Sequence, residues 1–285
     1  MSEHGPQTPD AVSGTGAAGA ASPGSGPAPA EPGAPENRPS MDRLAPLAAN
    51  AWLRYDVIRR MIPQGVSDVL EVGCGMGAVG VRLAAQFNYL GLEPSPESFA
   101  VASRRIALGG RGEVRNVLAD ELDPAMQFDL VCAFEVLEHI EDDAGALESW
   151  ARRIRPGGWL LLSVPAHQSR YAAHDVLAGH FRRYERADLA ALLEKAGFSQ
   201  VESREYGMPL GYLLEAARNA VGKRKLAAAP GASMEQRTGA SARLLQPKGL
   251  LYGGVARYGT APFRYLQRGF PGIGTGLVVR ARLTA

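Results

Sequence analysis

With 285 residues and 46% hydrophobic content, the chain can bury one good core, and its length demands no second domain. The net charge of +2 hides a polarity: residues 207–285 hold twelve Lys or Arg against Glu215 and Glu235, a balance of +10, while residues 1–206 carry −8. No signal-peptide pattern opens the chain and no run of about eighteen uncharged apolar residues occurs, so nothing in it indicates secretion or membrane spanning.

In chain order, Pro, Gly, Ala and Ser dominate residues 1–40, which predicts a disordered tail ahead of one domain over 41–285. Leu44, Leu47, Ala51, Tyr55, Ile58 and Met61 recur at helical spacing and stop at Pro63, as in an amphipathic entry helix. Strands are then expected at Asp68–Val72, Tyr89–Leu92, Val114–Leu118, Asp129–Phe134 and Trp159–Val164. Helices are expected near Ala78–Gln86, Ser95–Leu108, Asp142–Ile154 and Ala187–Ala196. The alternation implies an α/β, doubly wound, Rossmann-like parallel sheet covered on both faces. The core runs over about 64–206. A strand at Phe198–Tyr206, an apolar helix at Leu210–Val221 ending in Lys223-Arg224-Lys225, a Gly/Ala/Ser-rich basic linker and a last strand at Gly276–Leu283 complete it. Cys74 and Cys132 fall on a strand end and a strand interior, which predicts buried free thiols and suits a reducing cytoplasm.

The strongest local signal is Val69-Leu70-Glu71-Val72-Gly73-Cys74-Gly75-Met76-Gly77-Ala78, an apolar strand breaking into glycines before a helix. Gly73, Gly75 and Ala78 also satisfy the dinucleotide pattern, with Glu93 about twenty residues on, so the glycines alone leave a nicotinamide and a sulfonium cofactor both open. Glu71 favours the second, because a carboxylate repels a pyrophosphate and attracts an ammonium; its alternative reading is a turn or helix cap. Glu93, closing Gly91-Leu92-Glu93-Pro94, is placed to accept both ribose hydroxyls. Asp120, in Leu118-Ala119-Asp120, is placed to accept from an adenine amino group or to serve as a plain turn residue.

These motifs, with Phe128-Asp129-Leu130-Val131-Cys132-Ala133-Phe134-Glu135-Val136-Leu137-Glu138-His139 and Leu160–Val164 preceded by Arg155-Pro156-Gly157-Gly158, resemble the class I S-adenosylmethionine-dependent methyltransferases of small-molecule type. The resemblance implies a seven-stranded sheet, mostly parallel with an antiparallel last strand, and S-adenosyl-L-methionine as cofactor. It also implies a cofactor site made by Glu71, Gly73, Gly75, Gly77, Glu93, Asp120 and Glu135. His139 reads either as a proton acceptor for an acceptor hydroxyl or as a packed residue. The long loop carrying His167, His174, Asp175, Gly179, His180, Arg182, Arg183 and Tyr184 is expected to meet the acceptor, with His180 a second base, or else to be pinned by its own hydrogen bonds.

Glu135, Glu138, His139 and His180 together suit a divalent metal, an arrangement similar to the small-RNA 2′-O-methyltransferases. The Glu-Val-Leu-Glu-His run is equally at home in metal-free enzymes, and the expectation adopted is no metal. No asparagine-proline-proline-aromatic signature for amino acceptors follows the fourth strand, so the expected acceptor atom is oxygen, with carbon behind it. The expected partner is a small-molecule or lipid-linked acceptor. A nucleic-acid partner is disfavoured by the sparse aromatics of the basic segment; an RNA methyltransferase and a non-catalytic cofactor-binding protein are the competing functions. The basic C-terminal segment reads as an ordinary solvated surface with a core helix, or as a peripheral contact with anionic membrane.

Overall fold

The computed structural model describes residue 1 and residues 45–109, 111–228 and 250–284; the tail predicted over 1–40 and most of the predicted linker lie outside them. An entry helix α1 (Ala49–Met61) leads to β1 (Asp68–Val72), α2 (Gly80–Ala84), β2 (Asn88–Leu92), α3 (Pro96–Gly109) and β3 (Glu113–Arg115). Then come β4 (Phe128–Phe134), α4 (Asp143–Ala151), β5 (Ile154–Pro165), α5 (Ala173–Ala178), α6 (Arg186–Lys195) and β6 (Phe198–Gly207). The order closes with α7 (Leu210–Ala228), α8 (Leu250–Gly259), α9 (Ala261–Gln267) and β7 (Gly274–Leu283).

The seven strands form one sheet in the order β3-β2-β1-β4-β5-β7-β6. β7 is antiparallel to both its neighbours, and the pairs among β1 to β5 are parallel. Strands buried on both faces need apolar residues at successive positions, and β4 supplies them. Its Leu130, Cys132 and Phe134 join one core layer with Leu53, Ile58 and Met61 of α1, while Val131 and Ala133 join the other with Leu147, Trp150, Leu189 and Leu193 of α4 and α6. Cys74 and Cys132 are buried free thiols, as expected.

Departures from the predicted bounds have local causes. β3 stops at Arg115 because the Asn116 amide donates to the carbonyls of Glu93 and Pro94, at 2.7 and 2.9 Å, and leaves the ladder. α4 starts where the Gly145 N–H finds Asp142 Oδ1 at 3.0 Å, a side-chain cap, and ends at Ala151 because Ile154 already pairs with Phe128. Where only linker is predicted before the last strand, α8 and α9 form; the glycines at 253, 254 and 259 had masked their helical spacing.

This C-terminal helix pair is tied to α1. Gln267 donates to the Leu53 carbonyl at 2.9 Å, and Arg268 grips the buried Asp56 with both ends of its guanidinium at 2.9 and 2.8 Å. Arg264 lies over the Trp52 ring, and Arg280 reaches Glu202 at 2.6 Å, so part of the basic excess of the C-terminal segment is spent inside the fold. No helix among the described residues is long and apolar enough to cross a membrane.

Removing the carboxylate in Asp56→Ala is expected to lower unfolding stability by about 1–2 kcal/mol, since solvent still reaches the orphaned arginines. Burial alone would raise the Asp56 carboxyl, but Arg268 and Arg59 hold it below its ordinary 3.8. The contribution is therefore complete above pH 3.8 and is lost as pH falls through the depressed value. Urea unfolding at neutral and acid pH reads both effects.

Candidate active site

The strand order reverses between β1 and β4, and a crevice opens there at the carboxyl ends of the strands, where ligands of doubly wound sheets bind. A cavity of about 400 Å³ occupies it, within the size range of small-molecule sites. Its floor is the turn after β1, its roof is α1, and its far end is built by Glu135, His139, His174 and His180.

The glycine turn is closed by acids. Gly75 has φ +55, which suits glycine, and a side chain there would stand in open space on the cavity's edge. Its N–H donates to Glu93 Oε2 at 2.8 Å, while Glu93 Oε1 accepts from Ser95 N at 2.9 Å. The N–H groups of Cys74 and Gly77 are also engaged, on the carbonyls of Leu92 and Cys74. A diphosphate entering this turn would find those donors taken and a carboxylate in its place. Gly77, at φ +73, meets the backbone of Ala102 on α3 so closely that a side chain would crowd it at 3.2 Å; it packs helix to turn and is not on the cavity wall.

Glu71 sits at the end of β1, only 2% exposed, with the Tyr89 hydroxyl donating to Oε2 at 2.6 Å. Burial pushes its carboxyl up to about 8, against the opposing pull of Tyr89 and Arg54. At neutral pH the carboxyl is thus held toward its protonated form. Arg54, on the cavity face of α1, pairs with Glu135 Oε2 at 3.2 Å. Glu135 has φ +57, an uncommon backbone for a non-glycine residue that marks many functional positions, and it directs the side chain to the cavity. Its Oε1 accepts from Ser163 and Tyr206 at 3.0 and 3.3 Å. Burial works to raise its carboxyl, but Arg54 and the Ser163 hydrogen bond, with His180 and Arg218 behind them, hold it below the ordinary value.

The far end is ordered by buried ion pairs. Asp175 accepts from His180 Nδ1 at 2.9 Å and from Arg183 Nε and Nη2, each at 2.8 Å; Arg183 in turn meets Glu215 of α7. The loop after β5 is therefore pinned by its own hydrogen bonds and also presents His174 and His180 to the cavity. His167 is not part of the cavity wall and bonds Glu185 and Glu205. Burial, then the neighbouring His180, lowers His139 to about 4, so it is neutral and a weak proton acceptor.

The structure thus gathers Glu71, Gly73, Gly75, Glu135, His139 and His180 around one cavity, with Glu93 bonded to its rim. It does not bring Asp120 there: that carboxylate is largely exposed and bonds Ser149 and Arg152 of the segment around α4. Two charged lining residues escaped the motifs. Arg54 lies between Ala51 and Ile58 on the apolar stripe of α1, and Arg218 follows Gly211, Leu214 and Glu215 on the buried stripe of α7. A charged residue at a core-facing helical position was the available signal for both.

A family model described as a methyltransferase domain matches residues 38–203. The ubiquinone biosynthesis O-methyltransferase of Dechloromonas aromatica (strain RCB) is 32% identical over 116 residues, covering 39% of this chain and 50% of that protein. A probable S-adenosylmethionine-dependent methyltransferase of Mycolicibacterium smegmatis is 32% identical over 157 residues, covering 52% and 60%. The chain thus spans between half and three fifths of these curated relatives. Among solved structures, an S-adenosylmethionine dependent methyltransferase from Mesorhizobium loti aligns with TM-score 0.51 at 18% identity, covering 81% and 97% of the two chains. The 4+2 cyclase SpnF aligns with TM-score 0.53 at 20% identity, covering 82% of each. At these identities the likeness is one of fold, which by itself fixes no reaction.

A ligand ammonium placed at Glu71 would require the carboxylate, so such binding below about pH 8 is expected to release a proton. Affinity for S-adenosylhomocysteine is expected to climb with pH by up to about tenfold per unit until it levels near that value. Because the folded carboxyl lies above its ordinary 4.5, the empty protein loses stability as pH rises toward about 8, and ligand restores it. Calorimetry in buffers of different ionisation enthalpy checks the proton release, and Glu71→Gln should flatten the profile.

Proposed function

The chain belongs to the methyltransferase-domain family of S-adenosylmethionine-dependent enzymes, and on that premise we propose that it moves a methyl group from S-adenosylmethionine to an oxygen of a small-molecule or lipid-linked acceptor. The observation that supports the cofactor reading is the Gly75 N–H bound to Glu93, which takes up a donor that a diphosphate would use and puts a carboxylate in the turn. Glu71 takes the ammonium, Arg54 is the nearby cation for the carboxylate of the same amino-acid moiety, and Glu93 keeps lone pairs for the ribose hydroxyls. Asp120 would serve the adenine only after leaving Arg152.

When bound, S-adenosylmethionine supplies a methyl group already activated on a sulfonium. The protein's task is alignment, exclusion of water and care of one proton. Glu135, fixed by Arg54, Ser163 and Tyr206, forms a rigid wall between the glycine turn and the far end. His180, oriented through Nδ1 by Asp175, leaves Nε2 to meet the acceptor hydroxyl or whatever holds it. His139 stands beside it with ring centroids 4.7 Å apart. An oxygen acceptor is supported by the O-methyltransferase relatives and by the Glu-Val-Leu-Glu-His run standing where amino-group enzymes carry another signature.

Incubating the protein with labelled cofactor and a panel of phenols, catechols, sugars and polyprenylated phenols should place the label on oxygen. Label found only on amines, or none across the panel, would overturn this reading. His180→Ala should lower kcat by about a hundredfold or more with little change in cofactor KM. Lys223-Arg224-Lys225 at the end of α7 would favour anionic membrane for a lipid-linked acceptor; co-sedimentation equal on neutral and anionic vesicles would remove that part.

A further inference from the structure

We propose that Glu138, His139 and His180 form a binding site for one divalent first-row transition cation at the acceptor end of the cavity, with Asp175 as the residue that positions His180. Each of the three offers a ligand atom, and these atoms lie within 4.8 Å of one another. They come from the turn after β4 and the loop after β5, which are locked together by the Phe181 N–H on the Glu138 carbonyl at 2.8 Å.

Glu138 is the observation that asks for an ion. It is 0% exposed, and neither oxygen of its carboxyl has a hydrogen-bond partner among the described residues. A buried carboxyl without partners is costly whether ionised or neutral, and such groups persist where something else satisfies them. His139 shows the same signature, because its Nδ1 is buried and also lacks a partner. Packing alone gives no reason for two adjacent polar side chains to be left unsatisfied while facing a third.

His180 supplies the complementary detail. Histidine ligands characteristically give their other ring nitrogen to a carboxylate, which sets the tautomer and frees one nitrogen for the ion. Nδ1 of His180 is bound to Asp175, and Asp175 is itself 0% exposed and held by Arg183 and the Ala172 N–H. Glu135 stands nearby, but its oxygens are engaged by Arg54, Ser163 and Tyr206, so it is not counted as a ligand.

Two imidazoles and one carboxylate favour Zn²⁺, Co²⁺, Fe²⁺ or Mn²⁺ over Mg²⁺ and Ca²⁺. Three protein ligands also leave positions open for an oxygen donor. The sequence motif alone had been read as metal-free; the orphaned carboxyl and the Asp175 contact are what the fold adds. The catalytic meaning of this site rests on the methyl-transfer reading above, whereas ion binding does not.

The test is titration of the chelator-stripped full chain with Co²⁺, followed by calorimetry and visible absorption, beside S-adenosylhomocysteine binding to the same preparations. One equivalent of Co²⁺ should bind, raise the Tm and be displaced by Zn²⁺, with Mg²⁺ at least a hundredfold weaker. Glu138→Gln and His139→Ala should weaken Co²⁺ by about 10- to 100-fold or more and Asp175→Asn by about 10-fold, each with S-adenosylhomocysteine affinity changed less than about threefold. No saturable Co²⁺ binding, Mg²⁺ binding as tight as Co²⁺, or unchanged Co²⁺ affinity in both Glu138→Gln and His139→Ala would overturn the proposal. Glu138→Gln conserves shape, and His139→Ala is an independent variant should it fail to fold. Loss of S-adenosylhomocysteine binding with Co²⁺ binding intact would count against the methyl-transfer reading alone.

Discussion

The hydrogen bond from the Gly75 amide to the Glu93 carboxylate is the constraint around which the crevice is built. A glycine turn between strand and helix ordinarily offers its free amides to an anion. Here a protein carboxylate has taken one of those amides, tying the ends of β1 and β2 together. Glu71, Glu93, Glu135 and Glu138 then crowd one end of the sheet, and their environments separate them. Burial keeps Glu71 and Glu138 toward the neutral form, while Arg54 keeps Glu135 ionised. Carboxyls with divergent protonation can serve different tasks in one cavity.

The core of the fold was plain in the sequence because parallel strands buried on both faces must be apolar throughout, and few other patterns alternate strand with helix at this spacing. Glu71, Glu93 and Glu135 were legible for a related reason: each directly ends or follows a strand, so chain order alone puts it at the ligand edge. Asp120 shows where that logic stops. It follows a strand as well, but β3 ends early at the sheet's edge and the carboxylate turns to Arg152. Arg54 and Arg218 were hidden because their roles depend on how α1 and α7 lie over the crevice, which is a matter of tertiary packing. The pairing of Asp175 with His180 was hidden likewise, although both residues stood in the loop singled out as polar.

The roof of the cavity is held from a distance. Arg54 meets Glu135 only because α1 is seated, and α1 is seated partly by Gln267 and Arg268, more than two hundred residues along the chain. The basic character of that distant segment thus acquires a structural role for some of its arginines before any partner is considered. Arg264 stacked on Trp52 and Arg268 bound to Asp56 are held against α1, and the cluster Lys223-Arg224-Lys225 lies elsewhere, at the end of α7.

The placement of β7 between β5 and β6 makes the sheet depend on a late segment of the sequence. Of the described strands it leaves the ribosome last, yet it sits inside the sheet, registered against Trp159–Pro165 on one side and Phe198–Gly207 on the other. Until it arrives, β5 and β6 leave two edges unpaired and the apolar surface that Leu277–Ala281 covers open, the kind of edge that favours association with other chains. Residues 274–283 thus complete the sheet from the inside, joining β5 to β6 in place of a direct pairing between them.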